Sequence, residues 1–582
     1  MLLTRAMGGG PSQDLDARFL FQTATLADSS AALTAPHPNS ACLIVRDSRV
    51  VGDGFLVGQG TTPSEVQACL KAGELARGAT AYLNLEPGDC HGDDSGVSSL
   101  IQAGVSRVVI GLRHPLEHFR NKAIKDLRIA KTQVDVIGEG QKVGSNLKEA
   151  LKACRAVNAP LLYRTAFKAP FSTLKYAMTL DGKIATNSGH SSWISSPISR
   201  ERVFSSRARC DAVVIGGNTV RRDNPKLTTR KDSGHLPARI VLSCGLNLPD
   251  DAHLWDVNDA PTMVMTQRGA NKRLQERLRQ KGVEIVEFDF LSPKAVIDYC
   301  YERGFLSIFW ECGGTLAALA ISSGVIHKVM AFVAPKIIGG AKAPSPVGEM
   351  GMIEMTQALD LKDVSFEQIG PDMLVSGYLH PLPELNFASS EWAESTKVSL
   401  DLRTIISLNH AWDAYGAFST FSPHSITAAS FSGEVIRWKT VEHYYQAQKF
   451  DGVQHPLAME CVAKIKVALS PEEASRLGRT LQHQRTDLVR SDWDSVQKDI
   501  MYRALYAKFH EYPHLKSLLL STSGSVLVDR SSHDVLYDKG TSGSNLLGDS
   551  LMQLRAQLLE QCVKDSENTQ RTAASDIESL ST

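Results

Sequence analysis

Between residues 41 and 112 the apolar positions come in short runs. Ala41–Val45 and Arg49–Gly54 read as a hairpin, Pro63–Ala76 as a helix, Ala79–Leu85 as a strand and Val105–Leu112 as a buried parallel strand. From Leu174 on, β-branched runs recur at Leu174–Thr179, Ala212–Ile215, Arg239–Leu242, Thr262–Thr266, Val283–Phe288, Ser307–Trp310 and Val329–Val333. Helical stretches such as Ser199–Ala208, Lys272–Lys281 and Thr315–Ser323 lie between them. That order predicts βαβ crossovers and a mostly parallel sheet. After residue 405 the spacing turns helical, at Val441–Phe450, Pro456–Ala468, Pro471–Leu481, Ser491–Phe509 and Asn545–Gln561. The fold class expected is α/β multidomain with a mostly helical C-terminal domain.

At 582 residues the chain has room for about three domains of ~150 residues. The pattern divides it into an N-terminal stub (1–15), an α/β domain (16–168), a parallel-sheet domain (169–380), a linker (381–404), a helical domain (405–562) and a tail (563–582). The linker holds Pro381 and Pro383 followed by small and acidic residues without period, and the tail is rich in Ser, Thr and acidic residues, so it is expected to be disordered. Hydrophobic residues make up 43% and charged residues 22%, as in a globular protein with real cores. Sixty-three basic residues balance 63 acidic ones, so net charge gives no reason to expect nucleic acid or membrane partners. The ten cysteines show no C-x-x-C spacing, which fits a reducing compartment. No apolar run reaches the ~18 residues of a membrane span, and residues 1–15 lack a secretory core.

The candidate chemistry lies where strands end in small residues. Asp181-Gly182, Gly216-Gly217-Asn218-Thr219 and Glu311-Cys312-Gly313-Gly314-Thr315-Leu316 each follow an apolar run. Such turns let backbone N–H groups approach a phosphate-bearing ligand, and parallel sheets bind ligands at the carboxyl ends of their strands. No G-x-G-x-x-G fingerprint is present, so a Rossmann domain is not supported.

Several motifs follow one another in order: Leu174-Lys175-x-Ala177-x-x-Leu180-Asp181-Gly182, Gly189-x-Ser191-x-Trp193-Ile194, Arg207-Ala208-x-x-Asp211-Ala212, Thr219-x-x-x-Asp223-x-Pro225-x-Leu227-Thr228-x-Arg230, Glu311-x-Gly313-x-Thr315-Leu316 and Ala334-Pro335-Lys336. Taken singly, Trp193 fits a core residue, Arg207 a helix charge and Asp181-Gly182 an ordinary turn. The ordered set resembles the reductase domain of the bifunctional riboflavin-biosynthesis deaminase–reductase, whose fold is like that of dihydrofolate reductase. The resemblance implies hydride transfer from NADPH to the ribosyl C1′ of 5-amino-6-(5-phosphoribosylamino)uracil, a small-molecule phosphoribosylaminopyrimidine. It implies substrate contacts at Ser191, Arg207, Leu227, Arg230 and Glu311, with the two arginines on the phosphate. It implies cofactor contacts at Ala177, Trp193, Thr219, Asp223, Gly313, Gly314, Thr315 and Leu316, with Asp223 also helping to protonate the opening ribose. Arg221 and Arg222 are the candidates for a 2′-phosphate. Any assembly is expected to be a homodimer through the reductase domain.

In the first domain, Pro63-Ser64-Glu65 and Leu85-Glu86-Pro87-Gly88 resemble the halves of a zinc (cytidine-deaminase-like) motif. Pro63, Gly88 and Val97 stand where that family has its histidine and two cysteines, and none of the three side chains offers a lone pair. No metal is expected; the alternative is a shifted site on Cys90 and His91.

In the third domain, Phe418-Ser419-x-Phe421-Ser422-Pro423, Trp438-x-Thr440-x-Glu442-His443-Tyr444-Tyr445-Gln446-Ala447, Asp492-Trp493 and Asn545-Leu546-Leu547-Gly548 resemble the YbiA-like family. Some members are N-glycosidases acting on early riboflavin intermediates. The resemblance implies catalytic carboxylates at Glu442 and Asp534, with Trp493 stacking on the base. The segment departs from the family at Asp529 and Tyr537, where Glu and Trp are usual. Aromatic residues on helices also fit a plain core.

Together the three parts resemble the plant-type monofunctional pyrimidine reductases of riboflavin biosynthesis, which implies the chloroplast stroma. Two alternatives stay open on the residues: a bifunctional deaminase–reductase with an unorthodox zinc site, and a non-enzymatic scaffold that binds pathway intermediates.

Overall fold

The computed structural model describes residues 11–29, 38–58, 61–88, 95–138, 143–229, 236–383, 405–408, 415–431, 433–529 and 545–561. The expected hairpin is present as β1 (Ala41–Arg46) and β2 (Arg49–Phe55). With β3 (Thr80–Leu83), β4 (Arg107–Ile110) and β5 (Gln133–Val136) it forms a sheet of order β2-β1-β3-β4-β5, parallel from β3 to β5. Helix Ser64–Ala72 lies directly on β2, because Gly52 and Gly54 present no side chain there. A Cβ on either would fall 2.2 Å from a helix carbonyl, that of Ala68 or Ser64.

Helix Pro11–Asp28 starts inside the stretch read as a stub. Its buried face carries Asp16 and Thr23 among alanines, Phe19 and Leu20, which masks the apolar period. Asp16 is buried because it pairs bidentately with Arg107 (2.8 and 2.9 Å) and accepts from the Tyr82 hydroxyl (2.8 Å). Helices Lys122–Ile129, Ser145–Val157 and Ala159–Phe167 were also not anticipated.

The second sheet holds β6 (Phe171–Thr179), β7 (Ala212–Gly216), β8 (Ala238–Leu242), β9 (Thr262–Gln267), β10 (Glu284–Phe288), β11 (Ser307–Trp310), β12 (Lys328–Ala334), β13 (Lys362–Ile369) and β14 (Asp372–Tyr378). Its order is β10-β9-β8-β7-β11-β6-β12-β14-β13. The first seven strands in that order run parallel, and the β13–β14 hairpin, which the sequence did not reveal, closes one side antiparallel. β13 is exposed up to its last residue, Val364 and Phe366 included, so it offers no alternation of burial to read. Buried Arg239 on β8 donates to the carbonyls of Lys226, Leu254, Asp256 and Ala260 and to Thr262 Oγ1, tying the loops at that end of the sheet.

Both sheets belong to one compact unit made of Met1–Val57, Pro63–Gly88 and Gly96–Phe387; a second unit is built on Ala388–Thr582. Within the first, Arg209 forms a bidentate pair with Asp28. His327 stacks against Tyr163 and Phe171, and its Nδ1 accepts from the Ser172 N–H (2.9 Å). The chain past β14 packs back as well, with the Tyr163 hydroxyl donating to the His380 carbonyl (2.9 Å).

The second unit is mostly helical as expected, with helices Val441–Gln448, Pro456–Val467, Pro471–Gln484, Trp493–Glu511, Pro513–Ser521 and 546–561. Two small sheets accompany them: β15 (Ile405–Leu408) parallel to β18 (Val526–Asp529), and β16 (Ile426–Ala429) antiparallel to β17 (Val435–Trp438). Phe418, Trp438, Tyr444, Phe450 and Phe509 centre its core. Gly548 seats the last helix on β18, since a Cβ there would lie 2.2 Å from the Leu527 carbonyl. The tail (563–582) lies outside the described residues, as does the linker from residue 384 on.

Gly54→Ala forces a methyl group into the Ser64 carbonyl and is expected to lower stability by more than about 2 kcal/mol. Urea unfolding of the variant checks this; an unchanged midpoint would mean that the helix does not sit on β2 as described.

Candidate active sites

In the second sheet β11 lies between β7 and β6, so Glu311, just past the end of β11, stands between the end of β7 near Ile215 and the middle of β6. The register pairs Trp310 with Leu174, which places Glu311 beside Lys175. Arg207, the last residue of helix Pro197–Arg207, reaches the same carboxylate with two nitrogens (2.5 and 3.0 Å) and donates a third bond to the Thr228 carbonyl (3.2 Å). Lys175 Nζ stands 3.5 Å from Glu311 on the other side. Burial pushes the Glu311 carboxyl up, but Arg207 and then Lys175 outweigh it and hold it at about 2. Burial lowers the Lys175 ammonium, only partly offset by Glu311. The two cations and one carboxylate leave one net positive charge at the strand end.

Arg207 therefore does not stand free as a phosphate clamp: its fork is taken by Glu311. Lys175 stood in the motif but was not singled out from sequence, and only the strand register shows that it faces Glu311. Arg230 lies outside the described residues.

The two diglycine turns meet: a Cβ on Gly216 would touch Leu316 Cδ2 at 3.4 Å. Their glycines differ in cause. Gly314 is needed because the chain itself crosses it, a Cβ there lying 2.6 Å from the Ser345 carbonyl, with the Gly348 N–H bonded to the Gly314 carbonyl (2.9 Å). Gly313 is exposed and open, with nothing within 4 Å of a Cβ, and caps helix Gly314–Ser322. That open cradle beside exposed Thr315 fits a dinucleotide phosphate.

Ser191 Oγ donates to Asp223 Oδ1 at 3.2 Å, joining a predicted substrate contact to the predicted acid. Thr219, half-buried, sits on the same short helix, Gly217–Asp223. Trp193 is not core: it is 66% exposed, in the left-handed region (φ 66°), with Arg200 stacked 3.9 Å over its ring. Its carbonyl accepts from Lys336 Nζ. The Leu227 side chain is buried in the core although its φ is 54°, so only backbone in this loop can face a substrate. Ala177 is half-buried on β6. Arg221 is engaged with the Asn247 carbonyl and Asn218, and the Arg222 guanidinium covers Gly189. Asp181 clasps the next loop, accepting from the Gly339 (2.8 Å) and Ile338 (3.3 Å) N–H groups.

In the first sheet Glu65 is buried beside Gly96. The space for a ligand side chain at residue 88 is filled: a Cβ there would lie 2.8 Å from Phe119 Cβ and 3.1 Å from the His114 ring. Val97 points into the core. Cys90 and His91 lie outside the described residues, among which no group of three or more His, Cys, Asp or Glu could hold a metal ion.

In the second unit Glu442 is buried in the first turn of its helix, which Thr440 caps. Its carboxylate accepts from Thr420 Oγ1 (2.8 Å) and from Gln446 Nε2 (2.9 Å). Trp493 is only 7% exposed and packs edge-on to Tyr445, so the indole belongs to the core rather than to a stacking platform. Asp534 lies outside the described residues.

A dihydrofolate-reductase-like sheet with a charged site at its central strand ends, fused behind a deaminase-like sheet whose ligand space is filled, defines a reductase of the riboflavin deaminase–reductase class. Residues 170–375 match the RibD C-terminal domain, and residues 408–559 match the NADAR domain. The chain is 57% identical over 558 residues to the riboflavin biosynthesis protein PYRR, chloroplastic, of Zea mays (94% of this chain, 89% of that protein). It is 52% identical over 572 residues to its namesake in Arabidopsis thaliana (95% and 94%). The solved diaminohydroxyphosphoribosylaminopyrimidine deaminase/5-amino-6-(5-phosphoribosylamino)uracil reductase of Thermotoga maritima superposes with a TM-score of 0.53 at 26% identity, over 63% of this chain and 99% of that one. The chain belongs to the PYRR family of riboflavin biosynthesis proteins.

Glu311 gives the fold an acid-sensitive element. Its folded value of about 2 lies below the ordinary 4.5, so its contribution is complete above pH 4.5 and is lost as pH falls from there toward 2. The contribution is of order 3 kcal/mol. Glu311→Gln should remove that slope and destabilise the chain at pH 7 by roughly 3–5 kcal/mol, by leaving buried cations uncompensated. Urea unfolding at both ends of the range measures this, and a variant as acid-sensitive as its parent would contradict it.

Proposed function

We infer that the chain reduces 5-amino-6-(5-phosphoribosylamino)uracil to its ribitylamino counterpart with NADPH, in the chloroplast. The meeting of the Gly216–Gly217 and Gly313–Leu316 turns beside the Arg207–Glu311–Lys175 cluster carries this reading. The reaction named for the Thermotoga maritima protein and the chloroplastic names of the plant relatives support it.

Bound NADPH supplies the hydride that reaches ribosyl C1′. Gly313, Thr315 and Leu316, with Thr219 and Ala177, are assigned to hold it, and exposed Trp193 to cover it. As the sugar opens, its C1′–O bond breaks and the ring oxygen takes a proton. Asp223, oriented by Ser191, is assigned that delivery. With the Arg207 fork on Glu311, substrate phosphate falls to Arg230 and to the net positive charge of the cluster. The deaminase-like domain is read as catalytically silent, because its ligand space is filled. The C-terminal domain is read as an N-glycosidase of early riboflavin intermediates, with Glu442 activating water.

We further infer a homodimer through the β13 edge of the reductase sheet. Apolar side chains are left exposed on it, namely Phe366 (71%) and Val364 (41%).

Purified chain should consume NADPH when given the ribosylaminopyrimidine and should release no ammonia from the diaminopyrimidine precursor, with or without added zinc. Asp223→Asn should lower kcat by about 100-fold or more with KM little changed; undiminished turnover would remove Asp223 from proton transfer. Phe366→Glu with Val364→Glu should sediment as a monomer where the parent sediments as a dimer, and a parent already monomeric would refute the assembly.

A further inference from the structure

Four buried polar atoms along the seam of two helices in the second unit find no hydrogen-bond partner among the described residues. They are Gln446 Oε1, both carboxyl oxygens of Glu472, and Ser475 Oγ. Helix Pro471–Gln484 crosses helix Val441–Gln448 at Gly478, where a Cβ would lie 2.4 Å from Gln446 Oε1. Glu472, Ser475 and Gly478 are spaced three apart, so they share the face turned toward Glu442 and Gln446. Buried groups of this kind are normally satisfied, so a run of unsatisfied ones needs a reason. A ligand that brings its own donors and acceptors to the seam supplies it.

The two carboxyl groups there are held differently. Glu442 is fixed in direction by Thr420 and Gln446, each donating to one of its oxygens. The Glu472 carboxyl oxygens find no hydrogen-bond partner among the described residues. Burial pushes this carboxyl up to about 8 against the lowering effect of its own N–H and of nearby Ser470, and the Glu442 charge adds the smallest contribution. The other charged neighbours are engaged elsewhere. Glu473 accepts from the Leu469 N–H (2.8 Å), Lys449 donates to Gln482 (2.8 Å), and the His443 ring lies between Thr440 Oγ1 and the Ala468 carbonyl. The two carboxyl groups thus sit in unlike surroundings, as the two roles in glycoside cleavage require.

We propose that Glu472 is a further catalytic residue of the C-terminal domain, donating the proton to the departing nitrogen while Glu442 takes one from the attacking water. This rests on the N-glycosidase reading of that domain. The C1′–N bond breaks with its electron pair going to nitrogen, and nitrogen receives the Glu472 proton. The water oxygen bonds to C1′, and its proton passes to Glu442. Nothing is oxidised or reduced, and the pair regains its starting state by exchanging protons with solvent.

The test uses the full chain without NADPH, so that reduction is silent, and follows release of free base from 5-amino-6-(5-phosphoribosylamino)uracil across pH. The parent should lose kcat as pH rises through about 8. Glu472→Gln should lower kcat by about 100-fold or more and abolish that alkaline limb. Glu472→Asp should recover part of both. Fluorescence of Trp438 and Trp493 reports whether the domain is intact, and should a Gln variant be unfolded, the displaced alkaline limb of Glu472→Asp decides instead. An active parent whose Gln variant keeps its rate and its limb overturns the role of Glu472 alone. A parent that releases no base overturns the glycosidase reading and takes this assignment with it.

Discussion

A carboxylate trapped between two cations is the constraint on which the reductase site depends. Glu311 sits at the end of the central strand β11, and burying it alone would cost several kcal/mol. It is retained ionised because Arg207 arrives from a helix end and Lys175 from the neighbouring strand. The three fix one another: Arg207 also ties the Thr228 carbonyl, so the loop that carries the Leu227 strain is anchored through the same guanidinium. With one positive charge in excess, the cluster is suited to a phosphorylated substrate although neither cation is free. Recognition then comes from a preorganised charge rather than from a flexible arginine.

The deaminase-like domain persists for a physical reason apart from chemistry. Its sheet shares one compact unit with the reductase sheet, joined by the Arg209–Asp28 pair and by His327 packed between Tyr163 and Phe171. Deleting it would expose those aromatic rings. Filling residue 88 with the Phe119 ring turned a former ligand space into packing, which adds contact where a metal cavity would otherwise have to be held open.

The central parallel strands were legible because they are buried runs rich in β-branched residues, and residues 212–215 show why: every one is inaccessible. What escaped the sequence had polar residues on a buried face or apolar residues on an exposed one. Helix Pro11–Asp28 hides Asp16 against Arg107, a partner 91 residues away that no local pattern announces. β13 does the reverse, leaving Phe366 in the open. The motif residues have surroundings that the sequence did not show. The Glu311 partner of Arg207 lies 104 residues off, where no local pattern shows it, and composition cannot tell a covered indole such as Trp493 from an open one. Gly314 was counted among glycines kept small for a ligand, whereas the Ser345–Gly348 backbone occupies that face.

Both reactions assigned to the chain act on one carbon, the ribosyl C1′ bonded to nitrogen. In the unreduced substrate that carbon also carries the ring oxygen, so it can form the oxocarbenium-like state that glycosidases stabilise. Hydride addition opens the ring and leaves C1′ as an ordinary amine-bearing methylene, with no adjacent oxygen to share the charge. The product of the reductase domain is therefore chemically immune to glycosidic cleavage by the C-terminal domain. On the proposed reading, a glycosidase on the same chain acts only on molecules that have escaped reduction, and discrimination needs no pocket that measures sugar shape. It follows from the bond itself, which is why the two domains can share a substrate without undoing each other's work.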